Sequence, residues 1–259
     1  MLTVINIYMY RYLLVLGMVW LFTSCEKDTE KGTGNVDMVF LLQYKGEPLV
    51  MFDTFFYPVT GEMISFTKFA TYISDITFQK NDNSQLLLKE IDYLDMTNAH
   101  NAANATKGFT YKIPDIPEGS FSQLRFGIGV SEDLNAMAPK DFPSNSVLSS
   151  SANYWTSWKS YIFSRTEGKI DFNGDNKMED FFTLHAGGND AYTQIDLEKT
   201  FTVTKDKTTT LEIVIDIEKY LNGSESLYDI RSFPSIHSLE HIPVIKILSK
   251  NMKGAVSIR

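Results

Sequence analysis

Cysteine occurs once, at position 25, so no disulfide can close within the chain and no C-x-x-C redox or metal motif is available. Basic side chains are outnumbered, 24 against 32 acidic, for a formal net charge of −8. That balance, with the lysines scattered, excludes a nucleic-acid surface, which needs a basic face to neutralise phosphates. The common catalytic signatures are missing as well. There is no G-x-S-x-G elbow and no G-x-x-x-x-G-K-[ST] phosphate loop, and Gly127-Ile128-Gly129 lacks the third glycine of a dinucleotide fingerprint. No histidine–carboxylate constellation stands at short spacing either, so the chain is expected not to be an enzyme. Long amphipathic helical stripes are also absent from the pattern.

What is present starts at the N-terminus. Arg11 precedes an apolar run over residues 12–22, followed by Thr23-Ser24-Cys25. A basic flank, a short hydrophobic core and small residues before a cut read as a secretion signal, too short to span a bilayer as a mature helix. Leu21-Phe22-Thr23-Ser24-Cys25 resembles a bacterial lipobox. On that reading residues 1–24 are a lipoprotein signal peptide and Cys25 carries the lipid that anchors the protein to a membrane. Residues 25–35 are charged and lack an apolar cluster, so they read as a flexible tether. Their acidic start resembles the export signal of Bacteroidetes-type surface lipoproteins. The expected location is the outer membrane, on the cell surface or the periplasmic face.

Residues 36–259 read as one domain. With 43% apolar and 22% charged residues, the chain can bury one good core. Val36, Met38, Phe40, Leu42 and Tyr44 alternate onto one face. Residues 66–78 read as one long strand or as a short helical turn running into one, residues 86–88 and 91–96 continue the sheet, and Phe109, Tyr111 and Ile113 alternate until Pro114 and Pro117 break the strand. Glycines 127 and 129 suggest close packing on the face opposite Phe126 and Ile128. Residues 201–204 and 211–217 are expected to pair as a hairpin. Residues 217–221 form a short helix, and residues 243–248 fit a strand or a terminal helix segment. The fold class is all-β: a single antiparallel β-sandwich with long loops and minor helical turns.

The least generic stretch covers residues 153–188. It runs Tyr154-Trp155-x-x-Trp158-Lys159-x-Tyr161-x-Phe163, turns at Glu167-Gly168, and ends Phe182-x-Leu184-His185-x-Gly187. Together with the strand at residues 126–130, Asn135, Pro139, residues 69–76, Ile236-His237-Ser238 and Asn251-Met252, this order resembles the MbnP-like family of bacterial envelope proteins, some of which bind copper. The resemblance implies a non-enzymatic β-sandwich. It further implies copper held by histidine and an oxidised tryptophan made with a di-haem peroxidase partner, which points to His185 and to Trp155 or Trp158. The family's copper pattern places a histidine directly before the first tryptophan, where this chain has Tyr154. His237 supplies the missing imidazole if the C-terminal segment folds back onto the sheet.

His237 and His241 have the spacing of one helix face, but Pro234 and Pro243 bracket them, so they read as surface or hydrogen-bonded histidines. His100, in a polar loop, reads as solvated. A second metal reading lies in Asp171, Asn173 and Asp175, with Glu179 or Asp180 completing a calcium cage. Asn176 stands where a calcium loop has glycine and Phe182 where it has its bidentate glutamate, and Asn173-Gly174-Asp175 is also ordinary hairpin-turn chemistry. Two functions follow: a membrane-anchored copper-binding lipoprotein for acquisition or relay, or a non-catalytic surface binding or scaffold module with structural calcium.

Overall fold

The computed structural model describes residues 32–223 and 226–259. The expected signal peptide, Cys25 and residues 25–31 of the expected tether lie outside the described residues. The first strand, β1 (Thr33–Tyr44), opens three residues ahead of Val36 and is followed by β2 (Glu47–Pro48), β3 (Thr54–Phe56), β4 (Met63–Gln79), β5 (Gln85–Asp95), β6 (Phe109–Pro117) and β7 (Gly119–Ile128). A short helix α1 (Glu132–Asn135) leads to β8 (Tyr154–Trp155), β9 (Ser160–Asp171), β10 (Asp180–Gly187), β11 (Thr193–Val203) and β12 (Thr208–Asp216). The chain closes with α2 (Ile217–Leu221), β13 (Ser235–Ile236), α3 (Ile242–Ala255) and β14 (Val256–Ile258).

Among the described residues these strands form two sheets. One is five-stranded, ordered β14-β12-β1-β2 with β6 also on β1; the other is nine-stranded, ordered β11-β7-β4-β9-β10-β13, with β3, β5 and β8 on its flanks. The alternating apolar residues of β1 are all buried, and Phe40 meets Phe126 of the facing sheet edge-on at 6.1 Å. Tyr44, Phe55, Phe66 and Phe182 continue this aromatic seam with centroid spacings of 4.9, 5.8 and 5.7 Å. Such ring pairs contribute about 0.5–1.5 kcal/mol each beyond their buried area. The all-β sandwich is therefore the observed architecture.

Several local expectations change. The sheets are mixed, because β1 pairs in parallel with β12 and β10 in parallel with β13. Residues 201–217 are not a hairpin: β11 pairs with β7 in one sheet and β12 with β1 in the other, so the chain arches between layers. Both segments alternate, and alternation alone does not say which neighbour a strand takes. Pro114 does not break β6, because it falls with Asp115 in a bulge of the β1–β6 pair, where the ladder skips from Ile113 to Ile116. Residues 242–255 are a helix, with Ile245, Leu248, Met252 and Ala255 buried along one stripe. Pro243 looks like a breaker but occupies the first turn, where a missing N–H removes nothing. The glycines behave as expected: at Gly127 a Cβ would strike Tyr192 and Ser74, and Gly129, at φ +117°, lies against the Phe163 ring.

Candidate functional site

The aromatic stretch splits into a buried half and a surface half. Tyr161 and Phe163 are buried, whereas Trp155 and Trp158 are partly exposed. The turn between β8 and β9 makes this separation: Trp158 N donates to Trp155 O at 3.1 Å, which brings the two indoles to 4.3 Å between centroids. Tyr154, one residue earlier, takes the opposite side of its strand and packs on Tyr161 at 5.0 Å. The residue standing where the family's copper pattern has histidine is thus committed to the core.

Buried Asn135 fixes this hairpin. Its Oδ1 accepts from Tyr161 N at 3.0 Å and Ser160 Oγ at 3.1 Å, and Nδ2 donates to Asn189 Oδ1 at 2.8 Å. Arg165 adds a tie by donating from Nη2 to the Ala152 carbonyl at 2.8 Å.

Beyond the turn, β9 and β10 present alternate residues to the two faces. Phe182, Leu184 and Ala186 go inward, and Phe181, Thr183 and His185 go outward. The expected turn at Glu167-Gly168 is not there. Both residues lie inside β9, where Gly168 leaves room for the Phe182 ring and Glu167 stands on the outer face. Glu167 Oε1 accepts from His185 Nε2 at 2.8 Å, and the Trp155 and His185 rings are 6.0 Å apart. Sequence reasoning missed Glu167 as a site residue because Glu-Gly reads as a turn. Its two-residue spacing from Arg165 and Lys169 on an alternating strand was the usable signal.

The C-terminal segment does fold back. In β13, Ser235 pairs with Thr183 and Ile236 with Leu184, so His237 follows β13 as His185 follows Leu184 in β10. His237 Nδ1 meets Ser235 Oγ at 2.9 Å, and its backbone N–H donates to His241 Nδ1 at 3.3 Å. Burial lowers the pKa of His185, the hydrogen bond and charge of Glu167 work against that, and Arg165 and His237 add to the lowering. His185 is therefore neutral at pH 7, the form that ligates metals. Among the described residues no three His, Cys, Asp or Glu side chains converge as a metal cage. The donor types nonetheless suit a copper ion: the imidazole of His185 beside an indole pair, with His237 just past the neighbouring strand β13.

The acidic loop is different. Asp171 is buried and its carboxylate accepts the amides of Gly174 at 2.8 Å and Asn176 at 2.7 Å, while Asn173 Oδ1 and Asp175 Oδ1 accept from Asp175 N and Lys177 N. Glu179 and Asp180 are exposed. The calcium reading of Asp171, Asn173, Asp175, Glu179 and Asp180 finds no support here, because the loop oxygens satisfy the loop's own backbone in a β9–β10 hairpin. His100 is also corrected, from solvated to fully buried.

An all-β sandwich carrying an aromatic–imidazole cluster on the open face of its larger sheet defines the class of protein. The MbnP family profile matches residues 33–238, so the chain belongs to the MbnP family. The solved structure of MbnP from Methylosinus trichosporium is similar in fold, with a TM-score of 0.51 at 13% identity over 75% of this chain and 79% of that one. No curated protein matches the chain by sequence.

Proposed function

We propose that this domain is a non-catalytic copper-binding module of the cell envelope, serving copper acquisition or relay. The observation that carries the reading is the placement of Trp155 6.0 Å from His185 on an outer face that His237 also joins. His185 and His237 are the imidazole ligands, and Trp155 is the residue whose oxidised side chain adds a further donor, with Trp158 packed behind it. A di-haem peroxidase partner carries out that oxidation. Copper bound there supplies a redox-active, soft Lewis-acid centre. The chain's own part is to hold nitrogen donors against its larger sheet, with the indole pair shielding one side from water.

Lipid on Cys25 holds the domain at the outer membrane, on the cell surface or the periplasmic face. No helix among the described residues is long and apolar enough to cross a membrane.

The test is a Cu(I) titration against a chromophoric chelator. His185→Ala is expected to lose the copper, and His237→Ala to weaken it by a factor of ten or more, roughly the effect of removing one good ligand. Protein co-produced with the peroxidase should carry an oxidative mass increase on Trp155. Wild-type protein that competes for no copper would leave the non-catalytic binding or scaffold module as the function.

A further inference from the structure

The two ring nitrogens of His185 have different surroundings. Nε2 lies 2.8 Å from Glu167 Oε1, and a carboxylate only accepts, so Nε2 carries the hydrogen and the lone pair sits on Nδ1. Among the described residues Glu167 accepts no other hydrogen bond, and its further ionic neighbour is Arg165. In register it sits between Lys68 of β4 and Thr183 of β10, but Lys68 Nζ is 2.8 Å from Asp95, and Thr183 Oγ1 is 2.8 Å from Ser235 Oγ. Arg165 Nη1 comes only to 4.0 Å. Glu167 and His185 are 27% and 18% exposed, so water competes weakly for their hydrogen bond.

We propose that Glu167 is the positioning residue of the copper site, taking the Nε2–H of His185 and holding the ring so that Nδ1 is the ligating atom. The assignment rests on the copper reading above. A ligating imidazole whose other N–H is given to a carboxylate is fixed in tautomer and orientation, and its free nitrogen becomes a better donor. Coordination through Nε2 would leave the Glu167 carboxylate without this partner.

Nitrogen-15 NMR of the whole protein tests this before and after Cu(I) is added. Without metal, wild-type protein should show a slowly exchanging, downfield Nε2–H of His185, absent in Glu167→Ala and weakened in Glu167→Gln. With Cu(I), the wild-type Nδ1 resonance should move while the Nε2–H persists. Glu167→Ala should bind copper about 10- to 100-fold more weakly, with Glu167→Gln in between. Should Glu167→Ala fail to fold, the isosteric glutamine variant carries the comparison alone. Copper on Nε2 in the wild type, or variants with wild-type affinity and unchanged His185 nitrogens, would overturn the role of Glu167. Wild-type protein that shows the Nε2–H but takes no copper would instead overturn the copper reading, and the metal role of Glu167 with it.

Discussion

The imidazole of His100 accepts the Leu42 amide at 2.9 Å through Nε2 and sets Nδ1 2.8 Å from the Met96 carbonyl, so a side chain in a polar loop completes the hydrogen bonding of β1. Burial lowers its pKa, against the smaller raising effect of the Met96 bond. The unfolded chain therefore binds its proton first. His100 leaves stability intact above the ordinary histidine value of about 6.5 and erodes it as pH falls below that, which urea melts at pH 7.5 and 5 would show. His100→Ala should cost roughly 1–3 kcal/mol by stranding the Leu42 N–H, more if the cavity stays open. Asp171→Ala should likewise cost about 1–3 kcal/mol by orphaning loop amides, without changing copper affinity. In the sequence, His100 stands in the polar loop Thr97-Asn98-Ala99-His100-Asn101 and His185 in an apolar strand after Leu184, which would put His100 in water and His185 in the core. Only the long-range partners Leu42 and Glu167 tell the core histidine from the surface one.

Elements were legible where local chemistry decides them. Asp216 accepts from Glu218 N at 3.1 Å and Lys219 N at 3.4 Å, and the short helix it caps runs to Leu221 as expected. Asp216→Ala should lower stability by about 1 kcal/mol in chemical denaturation, and Asp216→Asn by less, because asparagine caps nearly as well. Gly129→Ala should be worse than a cap loss, since it combines a left-handed φ with the Phe163 ring; an unchanged melting temperature would contradict that packing. Elements were misread where a residue type has two uses. Gly168 admits the Phe182 ring inside β9, though Glu-Gly resembles a turn on paper, while residues 243–248, open between strand and helix, become helix with Pro243 in its first turn. The 201–217 arch was hidden for another reason, because strand pairing is a tertiary choice that two alternating segments do not encode.

At the scale of the whole molecule, the sandwich was legible from alternation in β1 and β6 and from the β-branched and aromatic run of β4, and the order of elements carried the family. The candidate site was legible only in part. His185, Trp155 and Trp158 stand in one stretch of chain, and the structure brings Trp155 and His185 together across the β8–β10 end of the larger sheet. His237 comes from more than fifty residues away and joins them only because β13 adds in parallel to β10. Glu167, hidden behind a glycine, belongs to the same face. The site is thus a product of topology: four strands of one sheet, β8, β9, β10 and β13, each place a side chain or its neighbour on one patch, while the acidic loop at the opposite end of the β9–β10 pair serves its own backbone.

Native mass spectrometry of the purified protein after exposure to Cu(I) tests this account most directly. It predicts a single copper per chain in the wild type, weakened in His237→Ala and lost when His185 is replaced by alanine. A wild-type protein that stays metal-free, or a His185→Ala,His237→Ala double variant that keeps its full copper, would contradict it.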